Sequence, residues 1–204
     1  MASAIDICNQ ALALLGQRAN VQQIVPPDGS VEASLCARFY PIARDKLLEM
    51  HDWRFATRRE ALAEVTNDLD SWAFAYAVPT MLRPLTLLMP ESTDDTKTQE
   101  YVIEQNANGD AVLYTNVEDA VLRYIYRVTD PTRWTPQFCT SVAALLSSYL
   151  AGPIIKGREG RAVAQEQYKM FLVEKAEAVK ANGNSKKNAS YGAHHTPGHI
   201  AARA

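Results

Sequence analysis

The chain is 204 residues long and 47% hydrophobic, and it sets 21 lysines and arginines against 23 acidic residues for a formal charge of -2. That length buries a real core, either in one elaborate domain or in two small ones. Basic residues spread among acidic ones disfavour tight nucleic-acid binding, which draws on a concentrated basic surface.

The longest apolar stretches are broken by Arg, Pro or Gly short of the ~20 residues a bilayer needs, so no transmembrane run is predicted and the chain reads as soluble. Its opening lacks the basic region and long apolar segment of a secretory signal, which predicts a protein that stays in the cytoplasm where it is made. The three cysteines, Cys8, Cys36 and Cys139, are odd in number and widely spaced. They supply neither a disulfide framework nor a zinc pattern and read as small core residues.

Residues 3–15 repeat apolar side chains at Ile5, Cys8, Leu12 and Leu15, the spacing of one helix face, with Ser3 and Asp6 as a capping box and Gly16 as a stop. A loop through Val25-Pro26-Pro27-Asp28-Gly29 follows. Ser30 then caps a second helix whose apolar side includes Leu35, Cys36, Phe39, Ala43, Leu47 and Met50. Pro41 lies inside it and predicts a kink or break, because it removes a hydrogen bond to the preceding turn.

Periodicity then changes. Trp72, Phe74, Tyr76 and Val78 alternate with three alanines, a period of two that suits a strand. The aromatic stripe reads as core, since it lacks the interleaved Lys or Arg of a base-stacking platform. Residues 101–105 and 111–114 flank Asn106-Ala107-Asn108-Gly109-Asp110, whose Asn-Gly pair signals a hairpin. In a further strand Leu122, Tyr124, Tyr126 and Val128 share one face, while Arg123, Ile125 and Arg127 share the other, which predicts one covered face and one partly wet.

Helical spacing returns at Thr135-Pro136, with Phe138, Val142, Leu145, Leu146 and Tyr149 as the stripe and Gly152-Pro153 as an expected interruption. A last helix over about 159–181 carries Val163, Met170, Phe171, Val173 and Val179. From Asn182 onward no apolar periodicity remains and no acidic residue occurs. That composition cannot bury enough surface to order itself.

Catalytic chemistry finds little footing. The chain has no GxSxG, no Gly-rich phosphate loop, no HExxH and no CxxC. Cys36 and His51 fall about four turns apart on one helix, beyond nucleophile–base reach. His194, His195 and His199 have no acidic or thiol partner nearby and read as part of a polar arm. Lys186 and Lys187 read as solubilising charges or phosphate contacts. Arg123 and Arg127 either meet acidic residues of their own chain or reach a neighbouring subunit. No enzymatic activity, cofactor or metal is predicted.

Ala4-Ile5-Asp6-Ile7-Cys8-Asn9-Gln10-Ala11-Leu12-Ala13-Leu14-Leu15-Gly16, then Ser30-Val31-Glu32-Ala33, Tyr40-Pro41-Ile42-Ala43-Arg44-Asp45-Lys46-Leu47-Leu48 and His51-Asp52-Trp53-Arg54-Phe55-Ala56, resemble a phage family. It is the tail tubular protein A or head-to-tail adaptor group of short-tailed phages. Its opening runs as a short helix, a loop, and a helix leading into a Trp-x-Phe-Ala strand. The likeness is dense over roughly the first sixty residues. Tyr76-Ala77-Val78-Pro79 and Arg83 also look like the family's aromatic strand leading to a proline, while Thr80-Met81 departs from it and the later helices match in layout.

The resemblance implies a structural virion protein: a ring of twelve copies at the head–tail interface, under the portal protein and above the tail nozzle protein, with double-stranded DNA passing through without sequence specificity and no membrane involved. A head-to-tail contact repeated to closure gives each subunit two complementary surfaces. The resemblance also makes the C-terminal arm a portal-binding segment, through Lys186, Lys187, Tyr191 and His194 and then His195, His199, Ile200 and Arg203. Tyr40, Pro41, Arg44, Trp53, Phe55, Arg123 and Arg127 are the candidate inter-subunit or structural residues. The alternative is a small DNA-binding or packaging accessory protein with a cationic arm at Lys186, Lys187 and Arg203.

The expected architecture is α+β and predominantly helical. Residues 1–52 and 134–182 form a helical bundle, 53–133 a β-rich insert, and 183–204 an extended C-terminal arm.

Overall fold

The computed structural model describes residues 2–92 and 94–184. The fold is α+β and predominantly helical, with four α-helices and two small antiparallel sheets among the described residues. Helix α1 (Ala4–Leu14) opens on the expected capping box: Asp6 N–H donates to Ser3 Oγ at 3.1 Å and Ser3 N–H to Asp6 Oδ2 at 2.9 Å. At its end Gly16 takes φ 67°, and Gln17 N–H reaches back to the Leu12 carbonyl at 3.0 Å. That left-handed residue is where a side chain would be strained and glycine is not.

Helix α2 (Val31–Glu49) starts from Ser30, whose Oγ accepts from Ala33 N–H at 3.1 Å. It runs through Pro41 without the expected break. The bond lost at the proline is offset because Cys36, Tyr40, Ala43, Leu47 and Leu48, on both sides of it, are buried against the rest of the bundle. Met50, expected on the apolar side, caps the helix end and is exposed.

Helix α3 (Pro136–Ile155) is capped by Thr135, with Pro136 in the first turn where no amide is needed. It too continues past its expected stop, Gly152-Pro153. By length and composition this helix could cross a membrane, contrary to the expectation from sequence: its mean hydropathy is 1.6 over an 18-residue window. The apolar excess has another cause. Buried residues cover every side of α3 because α1, α2 and α4 all pack on it.

Lys156 and Gly157, both with positive φ, turn the chain into α4 (Gly157–Asn184). Its buried stripe is Gly160, Phe171, Ala178 and Asn182. Met170 and Val173, expected on that stripe, are exposed, since each lies at least a quarter-turn away from Phe171. The helix also outruns its expected end, so Gly183 and Asn184 are helical.

Between α2 and α3 lie six strands: β1 (Thr57–Ala61), β2 (Phe74–Ala77), β3 (Arg83–Leu88), β4 (Tyr101–Gln105), β5 (Ala111–Thr115) and β6 (Val121–Ile125). One sheet has the order β1-β6-β3 and the other β2-β5-β4. The β4–β5 hairpin turns as expected at Asn106–Asp110, with Gly109 at φ 85° and Asn106 Oδ1 accepting from the amides of Asn108 and Asp110. The expected Trp-x-Phe-Ala strand is instead a 3-10 turn, Arg54–Ala56, and pairing begins at Thr57.

Leu87, Leu122 and Tyr124 from the first sheet meet Tyr76 and Leu113 from the second, so the sheets face each other. The alternation read in β2 holds only within the strand. Phe74 and Tyr76 face the other sheet, but a turn at 69–72 carries Trp72 to the opposite side, against Ala75, Val112 and Tyr114. The other face of β6 is partly wet, as expected: Arg127, just past the strand, is half-exposed and Arg123 partly covered. Ile125 is fully buried in the helical core, and Val128, beyond the strand end, joins it there.

Candidate functional site

Where α2 runs into the first sheet, aromatic rings from several elements converge. Trp53 is fully buried, its Nε1–H donates to the Leu47 carbonyl at 2.8 Å, and its ring meets Phe138 edge-on at 5.0 Å. Phe138 also packs on Phe55 at 5.0 Å and Trp134 at 5.1 Å, and Trp134 tilts against Tyr40. Among the candidate inter-subunit or structural residues, then, Trp53 and Tyr40 are buried within their own chain, Phe55 is half-buried, and burial pushes the Tyr40 hydroxyl above its usual range. Pro41 is half-buried on α2.

Asn182, near the end of α4, ties the same junction. Its Oδ1 accepts from Arg54 N–H at 3.1 Å, while its Nδ2 donates to the Asp52 carbonyl at 3.2 Å and lies 3.0 Å from His51 Nε2. Burial holds His51 below its ordinary value. Cys36 is instead buried in the core with Cys8, and the neighbouring thiol together with burial pushes the Cys8 thiol up.

The two strand arginines find carboxylates of their own chain. Arg127 Nε lies 3.0 Å from Asp45 Oδ2, and the other oxygen of Asp45 accepts from the buried Arg44 at 2.7 Å. One carboxylate on α2 thus links two cations, one of them on the segment leaving β6. Arg123 lies opposite Arg59 in the β1–β6 register, and Asp95 sits between them, 2.6 Å from Arg59 and 3.7 Å from Arg123. Asp52 and Arg83 form a further pair between α2's end and β3.

Two open clefts carry opposite charge. One, of about 580 Å³, is bordered by Glu91, Glu100 and Glu118 beside the exposed Met89. The other, of about 410 Å³, is bordered by Arg58, Arg127 and Arg133 with a single carboxylate, Asp130. Arg58 and Arg133 drew no attention in sequence because 75 positions separate them. The register of β1 on β6 places Arg58 beside Tyr124, and a 3-10 turn over Pro131–Arg133 brings Arg133 round. Asn182 likewise stands out in sequence only as the point from which apolar periodicity is absent.

Among the described residues no group of three or more His, Cys, Asp and Glu is placed to hold a metal ion. The arm residues Lys186, Lys187, Tyr191, His194, His195, His199, Ile200 and Arg203 lie outside the described residues. No protein-family model matches this chain, and no curated protein is similar enough to it to count as a relative.

Proposed function

We propose that this chain is a structural virion subunit, one member of a head-to-tail adaptor ring that joins the portal protein to the tail nozzle of a short-tailed phage and surrounds the DNA channel. The observation that carries the reading is the dense resemblance of residues 4–56 to that family. Those residues do connected work here: Cys8, Leu12, Cys36 and Leu47 build the bundle core, and Trp53 and Ala56 lead its chain into the first sheet. The helix–loop–helix opening is in keeping with that reading, while a 3-10 turn stands where its Trp-x-Phe-Ala strand is expected. Two clefts of opposite charge suit a heterologous contact, in which each subunit offers its neighbour a different surface.

Native mass spectrometry of the chain, alone and mixed with the portal ring of the same phage, tests the proposal. A discrete complex with one copy per portal subunit is the expected result. A folded chain that forms no complex with the portal overturns it. Removing residues 185–204 is expected to leave thermal melting nearly unchanged and to weaken portal attachment, since the segment has no core-like apolar pattern.

The arginine cleft favours a second reading, a DNA-binding or packaging accessory protein. It predicts DNA affinity that falls steeply with salt and survives in the absence of any portal.

A further inference from the structure

The geometry points to a phosphate-binding cleft at Arg58, Arg127 and Arg133. This inference does not rest on the adaptor reading, and a neighbouring subunit's acidic surface seated in the cleft would compete with it. Three guanidiniums border one recess of about 410 Å³ and face a single carboxylate within it. That volume lies above the roughly 300 Å³ at which small-ligand clefts begin. Asp130 is largely spent on its own turn, where one oxygen accepts from the Thr132 amide at 3.0 Å and the Thr132 hydroxyl at 2.7 Å, which leaves Arg133 a distant 3.7 Å contact. Arg127 shares Asp45 with Arg44 through Nε alone, and its side chain is 50% exposed.

Arg58 forms no ion pair among the described residues. Its guanidinium stacks on the Tyr126 ring, 3.7 Å from the centroid. Stacking fixes the plane of the fork while its outer N–H groups stay open, an arrangement preorganised for a planar two-point contact. Hydroxyls of Thr80 and Thr129 at the rim add neutral donors. A phosphate group, with its several acceptor oxygens and negative charge, matches this set of donors, because arginine binds phosphate oxygens in pairs. Since Tyr126 is covered by Arg58, the cleft offers no ring for base stacking and reads charge without sequence.

The phosphate can be free or a phosphodiester of a nucleic-acid backbone, and one experiment separates them. The full chain is titrated with inorganic phosphate while arginine Nε–Hε resonances are followed by NMR, and separately with a short duplex DNA followed by fluorescence anisotropy. Arg58→Gln, Arg133→Gln and a distant control on α4, Arg161→Gln, are compared, with thermal melts to establish that each variant is folded. Saturable shifts of the Arg58 and Arg133 signals with inorganic phosphate assign a free-phosphate site. Binding of duplex alone assigns a backbone site, with the salt slope falling by about 1 for each cleft arginine removed.

In either case Arg58→Gln and Arg133→Gln weaken binding about tenfold and Arg161→Gln does not. The proposal is overturned if neither probe binds saturably, or if both cleft variants bind as the parent does. It also fails if a poly-glutamate peptide takes the same arginine signals more tightly than either probe, because the cleft would then serve an acidic protein partner.

Discussion

The indole N–H of Trp53 donates to the main-chain carbonyl of Leu47 at 2.8 Å, so a ring that closes the aromatic cluster also satisfies a carbonyl at the end of α2. Replacing Trp53 by Ala removes both and is expected to cost about 3 to 5 kcal/mol in urea unfolding. Trp53→Phe keeps much of the packing and leaves the Leu47 carbonyl with only the Met50 amide, 3.3 Å away, for a smaller loss of about 1 kcal/mol. Equal stability of all three proteins would show that the ring does not hold this junction.

Asn182 bonds to the main chain on both sides of Trp53, which joins the end of α4 to the start of the β-rich segment. Asn182→Ala is expected to lower stability by about 1 to 3 kcal/mol through the amide and carbonyl it leaves unpaired. The same site gives a pH dependence. His51 titrates below its ordinary value of about 6.5 because burial disfavours its charged form. Between the two values the unfolded chain binds the proton and the folded one does not, so stability is full above about pH 6.5 and falls as pH drops through the folded value. Denaturant midpoints measured across pH 8 to 5 should show this fall, and His51→Gln should remove that component of it.

Gly160 stands where α4 crosses α3, and a Cβ built there would lie 3.0 Å from the main-chain carbonyl of Ala151 and 3.4 Å from that of Gly152. Backbone cannot swing aside as a side chain does. Gly160→Ala is therefore expected to push the helices apart at a cost of about 1 to 3 kcal/mol, despite alanine's better helix propensity. Gly183→Ala, on the same helix with no atom within 4 Å of its Cβ, should be neutral or slightly stabilising. Thermal melts of the two variants make the comparison, and equal melting temperatures would disprove the close crossing.

Asn9 and Asp28 pin the loop that joins the first two helices. The Asn9 amide donates to the Val21 carbonyl at 2.9 Å and accepts from the Val21 amide at 3.0 Å, while Asp28 accepts from the amides of Gln22 and Ser30 at 2.9 Å. Hydrogen bonds from Ser30 and Gln22 hold the Asp28 carboxyl down to about 2. Asn9→Ala is expected to cost about 1 kcal/mol and to speed amide exchange at Val21. A carboxyl with a depressed value contributes stability that is present above about pH 4 and lost as pH falls through about 2, so Asp28→Asn should flatten the acid limb of the unfolding profile.

Local signals were legible wherever the chemistry was local. Ser3 with Asp6, Ser30, Thr135-Pro136 and the Asn108-Gly109 turn each set an element boundary through atoms within a few residues, and each stands where the residues indicated. Breaker signals were overridden. Pro41 sits inside a continuous helix because the apolar residues on both sides are buried together, and α3 runs two residues past Pro153, where Ile154 and Ile155 pack partly buried against the bundle core. Helix stripes were read too widely: Met50, Met170 and Val173 fit the periodicity but face solvent, since a stripe has a direction only once a partner exists. Strands β1 and β3 carried no alternation of their own, and their pairing with β6 is what makes them strands.

The candidate site divides in the same way. Trp53 and Arg127 could be picked out by residue type, but which atoms they would meet could not. Leu47 and Asp45 become their partners only when α2 and β6 are side by side.

The class of fold, the capped helix starts, the hairpin and a core rich enough to sustain a helical bundle follow from short-range hydrogen bonding and from the periodicity of apolar residues, and so can be read along the chain. Which faces are covered and which distant charges share a cleft depend on how the elements pack. Three arginines scattered along a chain near neutrality form a positive recess only because antiparallel pairing of β1 with β6 and the turn beyond β6 bring positions 58, 127 and 133 together. Electrostatic potential depends on separation in space, and separation along the chain does not predict it.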